Sequence, residues 1–113
     1  MWVEAGTVDE IRRARKRVVD ADGTPVVVVW HEDAVYALDD ICIHKQRELH
    51  KGVILHGRLV CPGHQWAYDL ATGYCRERER CQPVHSVRVE DGVVWVNSEA
   101  APIEETTWLR TSS

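Results

Sequence analysis

Residues 39–70 read DDICIHKQRELHKGVILHGRLVCPGHQWAYDL, and they contain the most informative motif in the chain. Cys42 and His44 are separated by one residue, Cys61 and His64 by two, and sixteen residues lie between the two pairs. Two thiolates and two imidazoles suit either a tetrahedral zinc site or an iron-sulfur centre. Zinc fingers usually pair cysteine with cysteine along the chain. Each loop here supplies one cysteine and one histidine, which favours a binuclear cluster.

Short runs rich in valine and tryptophan recur on both sides of this stretch, between turn signals. They predict a mostly β protein with antiparallel strands. The expected strands are residues 2–5, 17–19, 26–30, 35–38, 58–60, 66–68, 84–89 and 93–96. Asp22-Gly23 and Asp91-Gly92 each separate two such runs. Because tight hairpin turns need positive φ, both dipeptides predict hairpins.

Three other segments depart from the strand pattern. Residues 7–17 place apolar side chains at helical spacing, which predicts at most one helical turn. Residues 39–65 are rich in Cys, His, Gly and charged residues, which predicts a long functional loop region. The sequence after Val96, NSEAAPIEETTWLRTSS, has no sustained period and contains Pro102. We therefore expect a domain over residues 1–97 and a tail over residues 98–113.

Composition excludes several classes of function. The chain has 113 residues, enough for one compact domain. Its 18 acidic and 14 basic residues give a net charge of -4, so it lacks the basic surface of a nucleic-acid-binding protein. The apolar run at residues 26–30 is far shorter than the roughly 20 residues that span a bilayer. Because the opening MWVEAGTVDE is unlike a secretory signal, we expect a cytoplasmic protein without a membrane partner.

The two ligand motifs, CIH and CPGH, resemble those of the Rieske family, whose pattern is Cys-x-His, a gap of similar length, and Cys-x-x-His. The flanking residues extend this resemblance as far as VRVEDGVVWV at residues 87–96. The other matching positions are Leu49, Gly52, Gly57, Pro62, Tyr68-Asp69-Leu70 and Thr72-Gly73. The resemblance implies a Rieske-type fold of stacked antiparallel sheets, with a cluster-binding loop subdomain at about residues 40–70.

A [2Fe-2S] cluster is the cofactor that this resemblance implies. Cys42 and Cys61 would bind one iron, and His44 and His64 would bind the other. Neutral imidazoles leave the cluster less negative than four thiolates do, so an added electron is accepted more easily. Clusters with this ligand set have potentials of about -150 to +300 mV, against about -400 mV for plant-type ferredoxins.

Residues around the ligands indicate where in that range the potential falls. High-potential Rieske proteins have an extra cysteine in each loop and a serine hydroxyl that donates to a bridging sulfide. Arg47, Gly63 and Trp66 stand at those places here. Tyr68 matches a position from which a tyrosine hydroxyl reaches a ligand sulfur. With one donor kept and two features lost, we expect the low end of the range, about -150 mV.

Two more residues beside the ligands are singled out by the resemblance. Pro62 opens the second loop, and its fixed φ limits how the backbone approaches the cluster. Gln65 replaces the glycine that the family commonly has after the second histidine. We expect this difference to alter the surface that meets a partner while leaving the ligands intact.

The function implied by the resemblance is that of a small ferredoxin. It would take one electron from a flavin-dependent reductase, pass it to a terminal ring-hydroxylating oxygenase, and transform no substrate. A catalytic oxygenase subunit would need a further iron held by two histidines and a carboxylate, but only His85 follows the motif. We expect a monomeric carrier.

Two alternatives remain open for the function. One is the small subunit of a nitrite-reductase-type enzyme, and the other is a structural zinc module that serves protein interaction. The state of Cys75 and Cys81 also has alternatives: they are free thiols, form a disulfide or bind a second metal. A reducing compartment favours free thiols.

Overall fold

The computed structural model describes residues 1–42, 47–62, 66–77 and 79–100. Eleven strands, one α-helix and one short 3-10 helix form the described part of the chain. Their bounds, in chain order, are β1 (Trp2–Thr7), α1 (Val8–Ala14), β2 (Lys16–Ala21), β3 (Thr24–His31), β4 (Ala34–Asp39), a 3-10 turn (Leu49–Lys51), β5 (Val53–Leu55), β6 (Arg58–Val60), β7 (Ala67–Asp69), β8 (Tyr74–Cys75), β9 (Arg80–Cys81), β10 (Val84–Glu90) and β11 (Val93–Ala100). No helix in these ranges is both long and apolar enough to cross a bilayer.

Two antiparallel sheets make up the fold. The larger has six strands in the order β1-β11-β10-β4-β3-β2, and the smaller has five in the order β5-β6-β7-β8-β9. The first and last strands of the described residues, β1 and β11, therefore lie in the large sheet, and the small sheet forms between them along the chain. The predicted mostly β fold of antiparallel sheets is confirmed.

Two-residue turns with positive φ join four of the hairpins. The predicted turns are confirmed: Asp22-Gly23 joins β2 to β3, and Asp91-Gly92 joins β10 to β11. Glu32-Asp33 and His56-Gly57 form two further turns of the same kind. The Glu32-Asp33 turn contains no glycine, which is why the sequence pattern did not reveal it.

The helix α1 is longer than predicted. The expectation of at most one turn was wrong, because Val8–Ala14 forms seven helical residues. Thr7 and Glu10 form a capping box, in which the Thr7 side chain accepts the Glu10 N–H and the Glu10 carboxylate accepts the Thr7 N–H. Ile11 is fully buried and anchors the helix on the large sheet.

Buried side chains form two separate clusters, which we call the sheet core and the sulfur core. The sheet core contains Ala5, Ile11, Ala21, Val26, Val28, Ala37, Val94 and Val96. The sulfur core contains Val27, Val29, Leu38, Cys42, Leu49, Leu59, Cys61, Tyr68, Leu70 and Cys75. The four valines of β3 alternate between the two, as side chains on a strand must. One strand therefore forms the wall between both cores.

The loop region expected over residues 39–65 contains more regular structure than predicted. It includes a 3-10 turn at Leu49–Lys51 and a hairpin of β5 with β6, closed by His56-Gly57. The predicted strand over residues 58–60 is confirmed as β6, whereas β5, which has only three residues, was missed. The predicted strand over residues 66–68 is displaced by one residue, to Ala67–Asp69.

Candidate metal centre

Cys42 and Cys61 lie in the same core, although they come from different sheets. Cys42 follows β4 of the large sheet and is 1% exposed, whereas Cys61 follows β6 of the small sheet and is 0% exposed. Both belong to the sulfur core. The fold therefore brings together the two predicted cysteine ligands from opposite ends of the motif.

Each of these cysteines opens a loop that is closed in the same way. The Cys42 N–H donates to the carbonyl oxygen of Arg47 at 2.7 Å, and the Cys61 N–H donates to that of Trp66 at 2.7 Å. In the first loop, the bridge between Ile41 and Glu48 adds a second closure. Both cysteines are thus held at the start of a short backbone loop of matching length.

The predicted histidine ligands fall within these loops in sequence. His44 and His64 lie outside the described residues, as do Gly63 and Gln65. Of the other predicted residues, Pro62 is exposed where the second loop begins. Trp66 is half-buried and packs against the sulfur core, and Arg47 is exposed.

Gly52 allows the two loops to approach each other. It follows the 3-10 turn, and a Cβ at this position would overlap the carbonyl oxygen of Val60. Val60 directly precedes Cys61, so this contact sets the first loop against the strand that leads into the second. Any side chain here would force the two backbones apart.

Tyr68 makes the contact that its sequence position predicts. Its hydroxyl lies 2.7 Å from the Cys42 Sγ and is fully buried in the sulfur core. Burial raises the pKa of Tyr68, and the hydrogen bond to Cys42 and the neighbouring thiolates raise the pKa further. Tyr68 therefore keeps its proton, and its hydroxyl donates to Cys42 whenever that sulfur is a thiolate.

Cys75 joins this group, which the sequence did not predict. It is 0% exposed in the sulfur core, and its charge is among those that raise the pKa of Tyr68. Cys81 is not its cross-strand neighbour, because Cys81 pairs with Tyr74 and Cys75 pairs with Arg80. The two cysteines therefore have different surroundings, and Cys75 is the one that lies near the candidate ligands.

His50 is a half-buried residue of the 3-10 turn, and it contacts Asp40 through both its ring and its backbone. Its ring Nδ1 lies 2.7 Å from the Asp40 Oδ2, and its backbone N–H donates to the Asp40 Oδ1 at 2.8 Å. His56, in contrast, is exposed in the turn between β5 and β6. No spacing rule connects Asp40 with His50, because their contact depends on the path of the loop between them.

His85 is a buried residue of β10, and both of its ring nitrogens contact acceptors. Its Nε2 lies 2.6 Å from the Asp39 Oδ1, and its Nδ1 lies 2.7 Å from the carbonyl oxygen of Asn97. Burial by itself would lower the pKa of His85, but the hydrogen bonds and the charge of Asp39 together raise it. Since both ring nitrogens face acceptors, the protonated ring satisfies both contacts.

The described donors fit an iron-sulfur centre. Two buried thiols share one core with a tyrosine hydroxyl, and a thiolate needs such a donor when it is removed from water. Each thiol also begins a loop whose sequence supplies one imidazole. This combination of two sulfur and two nitrogen donors on paired loops suits a binuclear cluster of uneven ligation.

Comparisons with known proteins agree with this geometry. The profile of the Rieske [2Fe-2S] domain family matches residues 1–88. The anthranilate 1,2-dioxygenase ferredoxin subunit of Burkholderia cepacia is 31% identical over 98 residues, which cover 85% of this chain and 91% of that protein.

Two solved structures have a similar fold. The ferredoxin of carbazole 1,9a-dioxygenase from Nocardioides aromaticivorans IC177 gives a TM-score of 0.81 at 26% identity, covering 88% of this chain and 99% of that one. A chain in the complex of reduced oxygenase and oxidized ferredoxin in carbazole 1,9a-dioxygenase gives a TM-score of 0.82 at 26% identity, covering 89% of this chain and 96% of that one.

Proposed function

Because the chain belongs to the Rieske [2Fe-2S] domain family, we propose that its paired loops hold the cluster through two cysteines and two histidines. The proposed ligands are Cys42, His44, Cys61 and His64. The cofactor is a [2Fe-2S] cluster, and the chain is an electron-transfer protein of an oxygenase system rather than the catalytic component.

The observation that carries this proposal is the matched closure of the two loops. In each, a buried cysteine N–H donates at 2.7 Å to a carbonyl oxygen five residues later. The sequence places one histidine inside each closed loop. Two loops of this form can present sulfur on the buried side, where Cys42 and Cys61 lie. The imidazoles would then come from His44 and His64, which lie in sequence between the two residues that close each loop.

Tyr68 is the residue proposed to adjust the electron affinity of the centre. The bound cluster would supply a one-electron couple. The Tyr68 hydroxyl, held 2.7 Å from the Cys42 Sγ, donates a hydrogen bond that stabilises negative charge on sulfur. Because its pKa is raised, this donor persists over the whole physiological pH range.

The chain passes electrons to a terminal oxygenase, in line with its ferredoxin relatives. The further proposals are that a flavin-dependent reductase supplies the electrons and that the carrier is a monomer. Apolar side chains suited to a protein partner lie beside the second loop: Val53 is 55% exposed and Leu55 is 54% exposed. Together with Pro62 and Cys61 they line one groove, so a docked partner would lie next to a proposed ligand.

Two further proposals concern the extent of the domain and its compartment. The proposed cluster-binding domain spans residues 1–97 and the proposed tail residues 98–113. Because β11 continues to Ala100, the first three residues of that tail belong to the large sheet. The protein works in the cytoplasm, where a reducing environment keeps ligand cysteines as thiolates.

The ligand proposal is tested by comparing histidines within the same segment. The wild-type protein, purified from cells that assemble such clusters, is expected to be red-brown. It should contain two irons and two sulfides per chain and show a Rieske-type paramagnetic resonance signal after reduction. His44→Ala and His64→Ala should each abolish that signal, whereas His56→Asn, in an exposed turn, should retain it.

A colourless wild-type protein that contains zinc would support the zinc module and overturn this proposal. Retention of the full signal in His44→Ala would overturn the histidine assignment alone. Light scattering after gel filtration measures the mass in solution, and a dimer mass would contradict the monomer. Reduction of the protein by candidate flavin reductases would identify the electron donor.

A further inference from the structure

Asp40 is a buried carboxylate that binds the far end of the first loop. It is 2% exposed, and its two carboxylate oxygens face the backbone N–H of His50 at 2.8 Å and the ring Nδ1 of His50 at 2.7 Å. Its carbonyl oxygen accepts the Leu49 N–H at 2.6 Å, and its own N–H donates to the Pro25 carbonyl oxygen at 2.9 Å. Asp40 therefore joins β3 to the end of the loop through four hydrogen bonds.

These contacts lie at the base of the loop that contains Cys42. From Asp40 the chain leads through Ile41 to Cys42, and it returns through Arg47 and Glu48. Ile41 and Glu48 form a bridge, and the Cys42 N–H donates to Arg47 at 2.7 Å. The pair of Asp40 and His50 is the next contact outward from this closure. It holds the two ends of the loop together from the side of the large sheet.

The contact between the His50 ring and Asp40 shows which ring nitrogen of His50 carries the proton. A carboxylate accepts and does not donate, so the His50 Nδ1 carries the proton in this contact. The backbone N–H of the same residue binds the second carboxylate oxygen. Two donors from one residue hold Asp40 in a bidentate arrangement, which fixes direction as well as distance.

The charge of Asp40 is screened poorly because the carboxylate is buried. The charge of Asp40 also acts on Lys16. Burial lowers the pKa of Lys16, and the charge of Asp40 opposes that shift. The Lys16 ammonium donates to the carbonyl oxygen of Gly52. Glu48 belongs to the same segment but is 45% exposed and forms an ion pair with Lys51 at 3.0 Å. The chain thus offers one buried and one exposed carboxylate near the same loop.

We propose that Asp40 and His50 form a clamp that positions Cys42, and that the buried Asp40 charge lowers the reduction potential of the centre to which Cys42 contributes. The inference rests on the proposed ligation by Cys42. An electron added to the cluster would make the centre that Cys42 helps to hold more negative. The Asp40 carboxylate, buried and two residues from Cys42 in sequence, would oppose that charge. Asp40 and His50 are positioning residues. They act on the centre through the loop that contains Cys42 and through the electrostatic field of the Asp40 carboxylate.

The first test compares two neutralised carboxylates in the holoprotein. Asp40→Asn keeps the shape of the side chain and removes its charge, and Glu48→Gln does the same at the exposed position. Voltammetry should show a higher potential for Asp40→Asn and an almost unchanged potential for Glu48→Gln. Equal shifts in both variants, or no shift in an iron-loaded Asp40→Asn, would refute the role of the buried charge.

The second test changes the His50 donor to Asp40. It keeps the proposal testable if the Asp40→Asn variant does not take up the cluster. His50→Ala removes the ring donor, whereas His50→Asn keeps an amide N–H at the position of the ring Nδ1. His50→Ala should lower the iron content and change the resonance signal, and His50→Asn should restore both toward the wild type. If His50→Ala matches the wild type in iron content, signal and potential, the clamp is wrong.

Failure of the inference is separable from failure of the proposed function. An iron-free wild-type protein would contradict the ligand proposal. An iron-loaded wild type whose Asp40 and His50 variants behave like Glu48→Gln would contradict only the clamp. Hydrogen exchange in the wild type gives a structural readout. The Leu49 and His50 amides donate to Asp40 at 2.6 and 2.8 Å, so the clamp predicts that they exchange more slowly than the Lys51 amide, which donates to the Glu48 carbonyl oxygen at 3.2 Å.

Discussion

The sheet core and the sulfur core have the same wall, β3, but bury different chemistry. The sheet core consists only of alanine, valine and isoleucine. The sulfur core adds three cysteines and a tyrosine to its aliphatic side chains. Burying an aliphatic side chain stabilises the fold at almost any interior position. A buried thiol or hydroxyl does so only where a hydrogen-bond partner or a ligand is within reach. The first core is therefore a scaffold, and the second is the part that needs exact positions.

The topology explains how one chain provides both. The large sheet contains β1 to β4 and β10 to β11, and the small sheet is inserted between β4 and β10. Cys42 leaves the large sheet and Cys61 leaves the small one, so the candidate centre lies where the two sheets meet. Changes that act on only one core should separate stability from electron transfer.

Val27 and Val28 provide the strongest test of this separation. They are adjacent on β3, both are 0% exposed, and they face the sulfur core and the sheet core respectively. Val27→Ala and Val28→Ala should each lower the free energy of unfolding by about 2 kcal/mol, because each removes two buried methyl groups and leaves a cavity. Only Val27→Ala should also speed the loss of iron to a chelator and alter the resonance signal.

Chemical denaturation measures the first quantity, and absorbance during chelation measures the second. Each variant is the control for the other, since residue type, strand and burial are the same. If both variants lose iron at the same rate, the cores are energetically one unit, and the comparison fails.

Tyr68→Phe tests polarity separately from packing within the sulfur core, because it removes a hydroxyl and changes almost no volume. The hydroxyl contact with the Cys42 Sγ at 2.7 Å would be lost. We expect a lower reduction potential by tens of millivolts, on the scale where about 59 mV is a tenfold change for a one-electron couple. Voltammetry checks this shift. Tyr36→Phe, which also packs against this core, is the control and should leave the potential in place.

The smallest expected effect concerns His85, on the large sheet. Its pKa is raised in the folded state, so the folded protein holds this proton more tightly than the unfolded chain, where the pKa is about 6.5. The resulting stability is complete below that value and is lost as the pH rises through the raised folded pKa. Thermal unfolding from about pH 6 to about pH 9 should show this decline.

His85→Gln should flatten the decline, because glutamine does not titrate. The variant should also retain the iron content and signal of the wild type, since His85 lies outside the sulfur core. A wild-type protein whose stability is constant over this pH range would contradict the buried ion pair with Asp39.

Sequence patterns predicted the features that depend on neighbouring residues. Asp22-Gly23 and Asp91-Gly92 revealed hairpins because their local conformation is restricted, and the CIH and CPGH motifs revealed the candidate centre. Cys75 and the contact between Asp40 and His50 were missed, because each depends on how distant segments pack. The helix α1 was underestimated for another reason: its signal is the capping pair of Thr7 and Glu10, which hydrophobic spacing does not detect.

The four consecutive valines of β3 have a consequence for the alignment of that strand. If β3 slipped by one residue, Val27, Val28 and Val29 would fill three of the four valine sites, and Trp30 would enter the fourth, in the sulfur core. The first three exchanges change no volume, so the valines by themselves do not set the alignment. It is set by Trp30, which is too large for a valine site, and by the tight turns at either end, Asp22-Gly23 and Glu32-Asp33. With an extra residue in either turn, the poor fit of Trp30 would be the main feature that opposes the slip.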